Sequence, residues 1–126
     1  MRSENSDKLF QNLHEILNEG RKDLLIEDER LNDEIEFMIL KVLKQTKNIE
    51  ILLIEDSEFS SEFFSDLIKI ATTNFKKSLK RLILKSLEKI LLKIPLSSFL
   101  YTELIHFEKL EDLSLENNGL THLPKM

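Results

Sequence analysis

Two adjacent carboxylate pairs, Glu27 with Asp28 and Glu55 with Asp56, are the side chains of this sequence best suited by type to attract a cation. Each pair closes a copy of the same pentapeptide, LLIED, at 24–28 and again at 52–56. An acidic protein face explains two such pairs more simply than a metal site. His14, His106 and His122 form no HExxH or other ligand spacing, there is no cysteine nucleophile, and neither a glycine-rich phosphate loop nor a GxSxG elbow occurs. The residues thus give no catalytic group, no metal ligand set and no cofactor site, and the chain reads as non-enzymatic. The opposite charge is gathered in Lys76, Lys77, Lys80, Arg81, Lys85, Lys89 and Lys93, an island in a chain of net charge -5. These cations could contact an anionic partner, with steep salt dependence if it were a nucleic-acid backbone. Aromatic residues for base stacking are missing there apart from Phe75, so nucleic acid is the disfavoured partner and a solvated face the plainer reading.

The elements that must position these groups are legible from periodicity. Leu9, Leu13, Ile16 and Leu17 recur at helical spacing after the capping candidates Ser6 and Asp7, and Gly20 stands where a helix C-cap is expected. Ile35, Met38, Ile39, Val42 and Leu43 predict a second helix after Asn32 and Asp33; Phe64, Leu67, Ile68, Ala71 and Phe75 predict a third after Ser60 and Ser61. Leu100, Leu104 and Phe107, with Tyr101 and Ile105, repeat the pattern after Ser97 and Ser98. Between these helices the period falls to two, with Leu24 and Ile26, Leu52 and Ile54, Leu82 and Leu84, and Leu113 and Leu115 on one side of short strands.

At 126 residues the chain suffices for one domain with a real core, and 41% hydrophobic with 33% charged residues is the composition of a soluble globular protein. Two glycines and two prolines leave little room for long linkers. The absence of cysteine removes any disulfide framework, and MRSENSDKLF carries no apolar signal-peptide core, so a cytoplasmic, intracellular home and no membrane partner are expected.

Near the end of the chain Leu110, Leu113, Leu115, Asn118 and Leu120 fall in the order LxxLxLxxNxL. With the LLIED duplication, 28 residues apart, this segment resembles one unit of a leucine-rich repeat protein. Laying the frame over the chain starts units near 21, 49, 79 and 110, with spacings of 28, 30 and 31. Arg21 and Glu29 break the frame in the first unit, and Ser57 replaces the turn asparagine in the second. Such a period, with a true helix in each unit, resembles the ribonuclease-inhibitor-like class. For the third unit a strand at 81–85 keeps the spacing even, while 89–93 also fits the frame. The resemblance implies an α/β solenoid of strand-turn-helix units, a parallel sheet on one face and helices on the other, with residues 1–20 as an N-terminal capping helix and 21–126 as the repeats of the same domain.

It also implies that partners bind the exposed strand face. Stacked strands align Asp23, Ile51, Arg81 and Asp112 in one column, Leu25, Leu53, Ile83 and Ser114 in the next, Glu27, Glu55, Lys85 and Glu116 in the third, and Asp28 and Asp56 beyond. Leu25, Leu53, Ile83 and Ile51 thereby make an apolar stripe flanked by acids, which suits either another protein or packing beneath a terminal helix or a neighbouring copy. After Leu120 and Leu123 no further helix follows in this sequence, so the last strand is expected to be covered by a second copy or a partner subunit. A protein-protein interaction module is the leading expectation; a constitutive subunit of a larger assembly, even a ribonucleoprotein, anchored by the basic segment 76–96, is its rival.

Overall fold

The computed structural model describes residues 4–85 and 104–114. Helices and strands alternate in the order α1 (Glu4–Glu19), β1 (Asp23–Glu27), α2 (Asp33–Lys44), β2 (Ile51–Glu55), α3 (Ser61–Asn74), β3 (Arg81–Lys85), a 3-10 turn (Leu104–His106) and β4 (Asp112–Ser114). The four strands form one parallel sheet in the order of the chain. This is an α/β architecture in which strands that neighbour in the chain also neighbour in the sheet, and helices α2 and α3 connect β1 to β2 and β2 to β3.

The register matches the columns expected from the spacing. Leu24 and Ile26 lie beside Leu52 and Ile54, and these beside Leu82 and Leu84. All six are at most 1% exposed. The third strand is Arg81–Lys85, the alternative that keeps the spacing even, while 89–93 lies outside the described residues. Below the strands the same backbone bonds recur: Lys22 O accepts from Glu50 N and Ile51 N, Glu50 O from Lys80 N and Arg81 N, and Lys80 O from Glu111 N and Asp112 N. The bonded carbonyls are spaced like the leucines, so the repetition in sequence is also a repetition of backbone geometry. Glu50 sits in this row between Lys22 and Lys80, 3.6 Å from each.

Caps fix the helix starts. Asn32 Oδ1 accepts from Ile35 N at 2.8 Å, and Ser60 Oγ accepts from Phe63 N at 3.0 Å. The Glu36 carboxylate reaches from α2 to accept from both Ser60 N and Ser60 Oγ, so one helix buttresses the cap of the next. At the other end Asn74 Nδ2 donates to Leu43 O and Lys44 O, closing the last turn of α2 from α3. Gly20 ends α1 at φ 72, as its position predicted. Ile39, Val42 and Leu43 of α2 and Phe63, Phe64, Leu67, Ile68 and Ala71 of α3 join the strand leucines in one core, with Phe59 edge-on to Phe63 and stacked on Phe64.

Five expectations are corrected. Helix α1 begins at Glu4 rather than at Ser6 or Asp7. Leu17 and Met38, counted into the apolar stripes, are 46% and 41% exposed. Both lie at the margin of their helix's buried face, and each residue turns the helix by about 100°, so only a wider contact would cover them. Ile105, counted into the apolar pattern after Ser97 and Ser98, is 65% exposed in a 3-10 turn at Leu104–His106, whereas Leu104 and Phe107 are buried and 97–103 lies outside the described residues. Ile83, expected on the open strand face, is 8% exposed.

Each LLIED segment leaves its strand through a left-handed residue, Asp28 at φ 53 and Asp56 at φ 49. That conformation costs an L-residue about 1 to 2 kcal/mol, less for aspartate, and nothing for glycine. Asp56→Gly is therefore expected to keep stability within about 0.5 kcal/mol of wild type or raise it, while Asp56→Val lowers it by about 1 to 2 kcal/mol. Urea titration of the two variants checks the sign.

Candidate functional site: the strand face and its cleft

The face of the sheet away from the helices presents the second and third columns. Leu25, Ile51 and Leu53 are half-buried there, Glu27 and Asp56 exposed, Glu55 half-buried and Asp28 exposed. The structure brings these together on β1 and β2, as the frame required. With Ile83 buried, the accessible stripe ends at Leu53 instead of running on to β3. In the next strand Arg81 is exposed and Lys85 half-buried, and Asp112 and Ser114 follow in register with Arg81 and Ile83. Glu116, Lys89 and Lys93 lie outside the described residues, as do Leu115, Asn118, Leu120 and Leu123, on which the expectation of a covered C-terminal end rests.

The basic residues divide. Lys76 and Lys77 are exposed at the end of α3. Lys80 stands 3.6 Å from Glu50 and Arg81 Nε 3.1 Å from Asp112 Oδ2, so an anionic partner would first have to displace carboxylates from these two. Exposed pairs of this kind contribute little to stability, of order 0 to 1 kcal/mol.

At the first strand the face deepens into a cleft of about 570 Å³, lined by Asp7, Lys8, Leu9, Gln11 and Asn12 of α1 and by Arg21, Leu25, Glu27 and Glu29. Its volume falls in the range of small-ligand pockets. Arg21 spans its rim, with Nε 2.6 Å from Asp23 Oδ1 and Nη1 2.8 Å from Glu15 Oε1. The hydrogen bond to Asp23 is the main cause that raises the Arg21 pKa; desolvation, next in size, opposes it, and the charge of Asp23 and the bond and charge of Glu15 add to the rise. A folded value above the unfolded one means that the guanidinium's charge contributes stability that is present at neutral pH and is lost as the pH rises through strong base.

Two residues of this region escaped the sequence reading. Asn12 is 3% exposed within the apolar stripe of α1. Its Nδ2 donates to Asp23 O and its Oδ1 accepts from Leu25 N, both at 2.8 Å, so one side-chain amide satisfies the outer edge of β1 as a neighbouring strand would. The signal was present: a polar residue at the center of a leucine stripe, three after Leu9 and one before Leu13. Glu29, noted only as a break in the frame, is 2% exposed and lines the cleft. It occupies the turn position taken by Ser57 in the next unit, and Ser57 Oγ accepts from Glu29 N at 3.1 Å while donating to Glu55 O at 2.9 Å.

Among the described residues no group of three or more His, Cys, Asp or Glu is placed to hold a metal ion. His14 hydrogen-bonds Asn18 on the outer side of α1, and His106 is exposed in the 3-10 turn, far in sequence from either acid pair. No helix of the described residues is long and apolar enough to cross a membrane. No protein-family model matches the chain, and no curated protein or solved structure is significantly similar to it.

Proposed function

We propose that this chain is a non-enzymatic protein-interaction module of the leucine-rich repeat type, a short solenoid that engages another protein through its strand face. The observation that carries the reading is the register of β1 on β2, which sets half-buried Leu25, Ile51 and Leu53 side by side and Glu27, Glu55 and Asp56 along their border. An apolar patch with a charged border is what a modest, selective interface needs. Magnitude argues for a contact wider than the stripe. Covering an aliphatic side chain completely yields about 1.5 to 3 kcal/mol, less for residues already half-buried, whereas association costs about 4 to 15 kcal/mol. The cleft beside α1 and the acidic border supply the additional area and polar contacts. The rival role, a constitutive subunit anchored by the basic segment, draws less support, because Lys80 and Arg81 already face carboxylates.

Affinity capture with wild type, Leu53→Asp and Phe37→Asp tests the reading. Phe37 is 68% exposed on α2 and offers an apolar control on the helical side. The expected outcome is a protein retained by wild type and Phe37→Asp and lost from Leu53→Asp. Loss from Phe37→Asp with retention by Leu53→Asp would move the interface to the helices.

A further inference from the structure

The carboxylates of this sheet fall into two classes by position. At the starts of the strands they are balanced within the chain: Asp23 by Arg21, Glu50 by Lys22 and Lys80, and Asp112 by Arg81. At the ends of β1 and β2 they are not, since among the described residues no ion pair forms to Glu27, Glu55 or Asp56. The row of acids stops at β3, where Lys85 takes the place in register beside Glu55. Three acids without an ion pair, Glu27, Glu55 and Asp56, thus gather at the carboxyl ends of two adjacent parallel strands.

The apolar residues next to these acids set a spacing. Leu25 precedes Glu27, and Leu53 precedes Glu55, by two residues on the same face of a strand, about 7 Å. We propose that this patch docks an extended basic segment of a partner protein, in which a lysine or arginine follows an apolar residue at a spacing of two. The apolar side chain lies against Leu25 and Leu53, and the cation lies over Glu27, Glu55 and Asp56. This inference rests on the reading of the strand face as the interface and adds the chemistry of what binds there. Charge complementarity selects a cationic partner, and the matched two-residue period selects an extended one.

The test is titration of the isotopically labelled protein with a peptide of three Leu-Ser-Lys-Ser repeats, against a control peptide with glutamate in place of lysine. Expected are amide shifts over 25–28 and 51–56 with the lysine peptide alone. The triple variant Glu27→Gln, Glu55→Gln, Asp56→Asn is expected to weaken binding about tenfold or more, whereas Glu62→Gln with Asp66→Asn, exposed on α3, leaves it within about twofold. Asparagine tolerates the left-handed conformation at position 56 as aspartate does, so the triple variant keeps the fold. Equal weakening by both sets would reduce the effect to general attraction by an acidic chain and overturn the proposal, as would equal binding of the glutamate peptide. Sedimentation that shows copies joined until Lys76→Glu and Lys77→Glu release them would assign the patch to a second copy and overturn it too. Should the lysine peptide fail while Leu53→Asp still loses the captured protein, the chemistry assigned to the partner is wrong and the strand face stands; retention by Leu53→Asp would remove the face itself.

Discussion

Leu52→Asp is expected to unfold the protein and Leu53→Asp to leave it folded, although the two substitutions are identical and adjacent. Leu52 is 1% exposed and packs between Leu24 and Leu82 in the core. A carboxylate there would lose the leucine's packing and bury a charge with no partner, a cost above about 5 kcal/mol, comparable to the whole stability of many small domains. Leu53 is half-buried on the opposite face, where an aspartate reaches water and the loss is about 1 to 2 kcal/mol of apolar contact. Urea unfolding followed by circular dichroism separates the two outcomes. Equal loss in both variants would mean a register slipped by one residue, which exchanges the two faces of the strand.

Asn12→Ala is expected to destabilise the fold by about 2 to 3 kcal/mol, more than any ion pair of the described residues, because it strands one donor and one acceptor at the edge of β1. The two bonds at 2.8 Å are the means by which α1 closes that edge. Leu9, Leu13 and Ile16, all at most 5% exposed, keep the helix in place, so the loss is local and not a detachment. Amide exchange at Leu25 should quicken in the variant beyond the exchange at Leu52. Asn12→Asp sharpens the test through pH. The introduced carboxylate still accepts from Leu25 N but opposes the carbonyl of Asp23, so its folded pKa is raised above the unfolded value. Relative to wild type, that variant therefore loses stability as the pH rises from about 4, the unfolded value, through its raised folded pKa, and has regained it fully below about 4, where the acid is protonated in both states and can donate. A flat difference between the two proteins across that range would show that the bond to Asp23 O carries no weight.

The strands and their register were legible because the signal for them is doubled. Each inward leucine recurs at the unit spacing, and the duplication of LLIED fixes the phase of two strands at once. The caps at Asn32, Ser60 and Gly20 were legible because short polar residues and glycine do there what little else can. Burial depth was not. The same period that marks Ile83 as pointing away from the leucine side cannot say whether anything covers it, and Leu17 and Met38 lie at stripe margins where exposure depends on how many neighbours a helix has. The polar contacts across units, Glu36 to Ser60 and Asn74 to Leu43 and Lys44, join residues 24 to 31 positions apart. They carry no local pattern of their own. Asn12 differs from these, since its position inside a leucine stripe set it apart, yet only the edge of β1 beside it shows what the amide is for. At the site, the acidic columns were legible residue by residue, whereas the absence, among the described residues, of ion pairs to Glu27, Glu55 and Asp56, against the paired acids Asp23, Glu50 and Asp112, required the side chains in place.

The central claim is that the strand face of β1 and β2 is the interface. Hydrogen exchange of the protein alone and bound to the partner retained by wild type and lost from Leu53→Asp tests it most directly. Added protection is expected at 25–28 and 51–56 and little change along α2 and α3. Protection confined to the helices, with the amides of 25–28 and 51–56 unchanged, would contradict it.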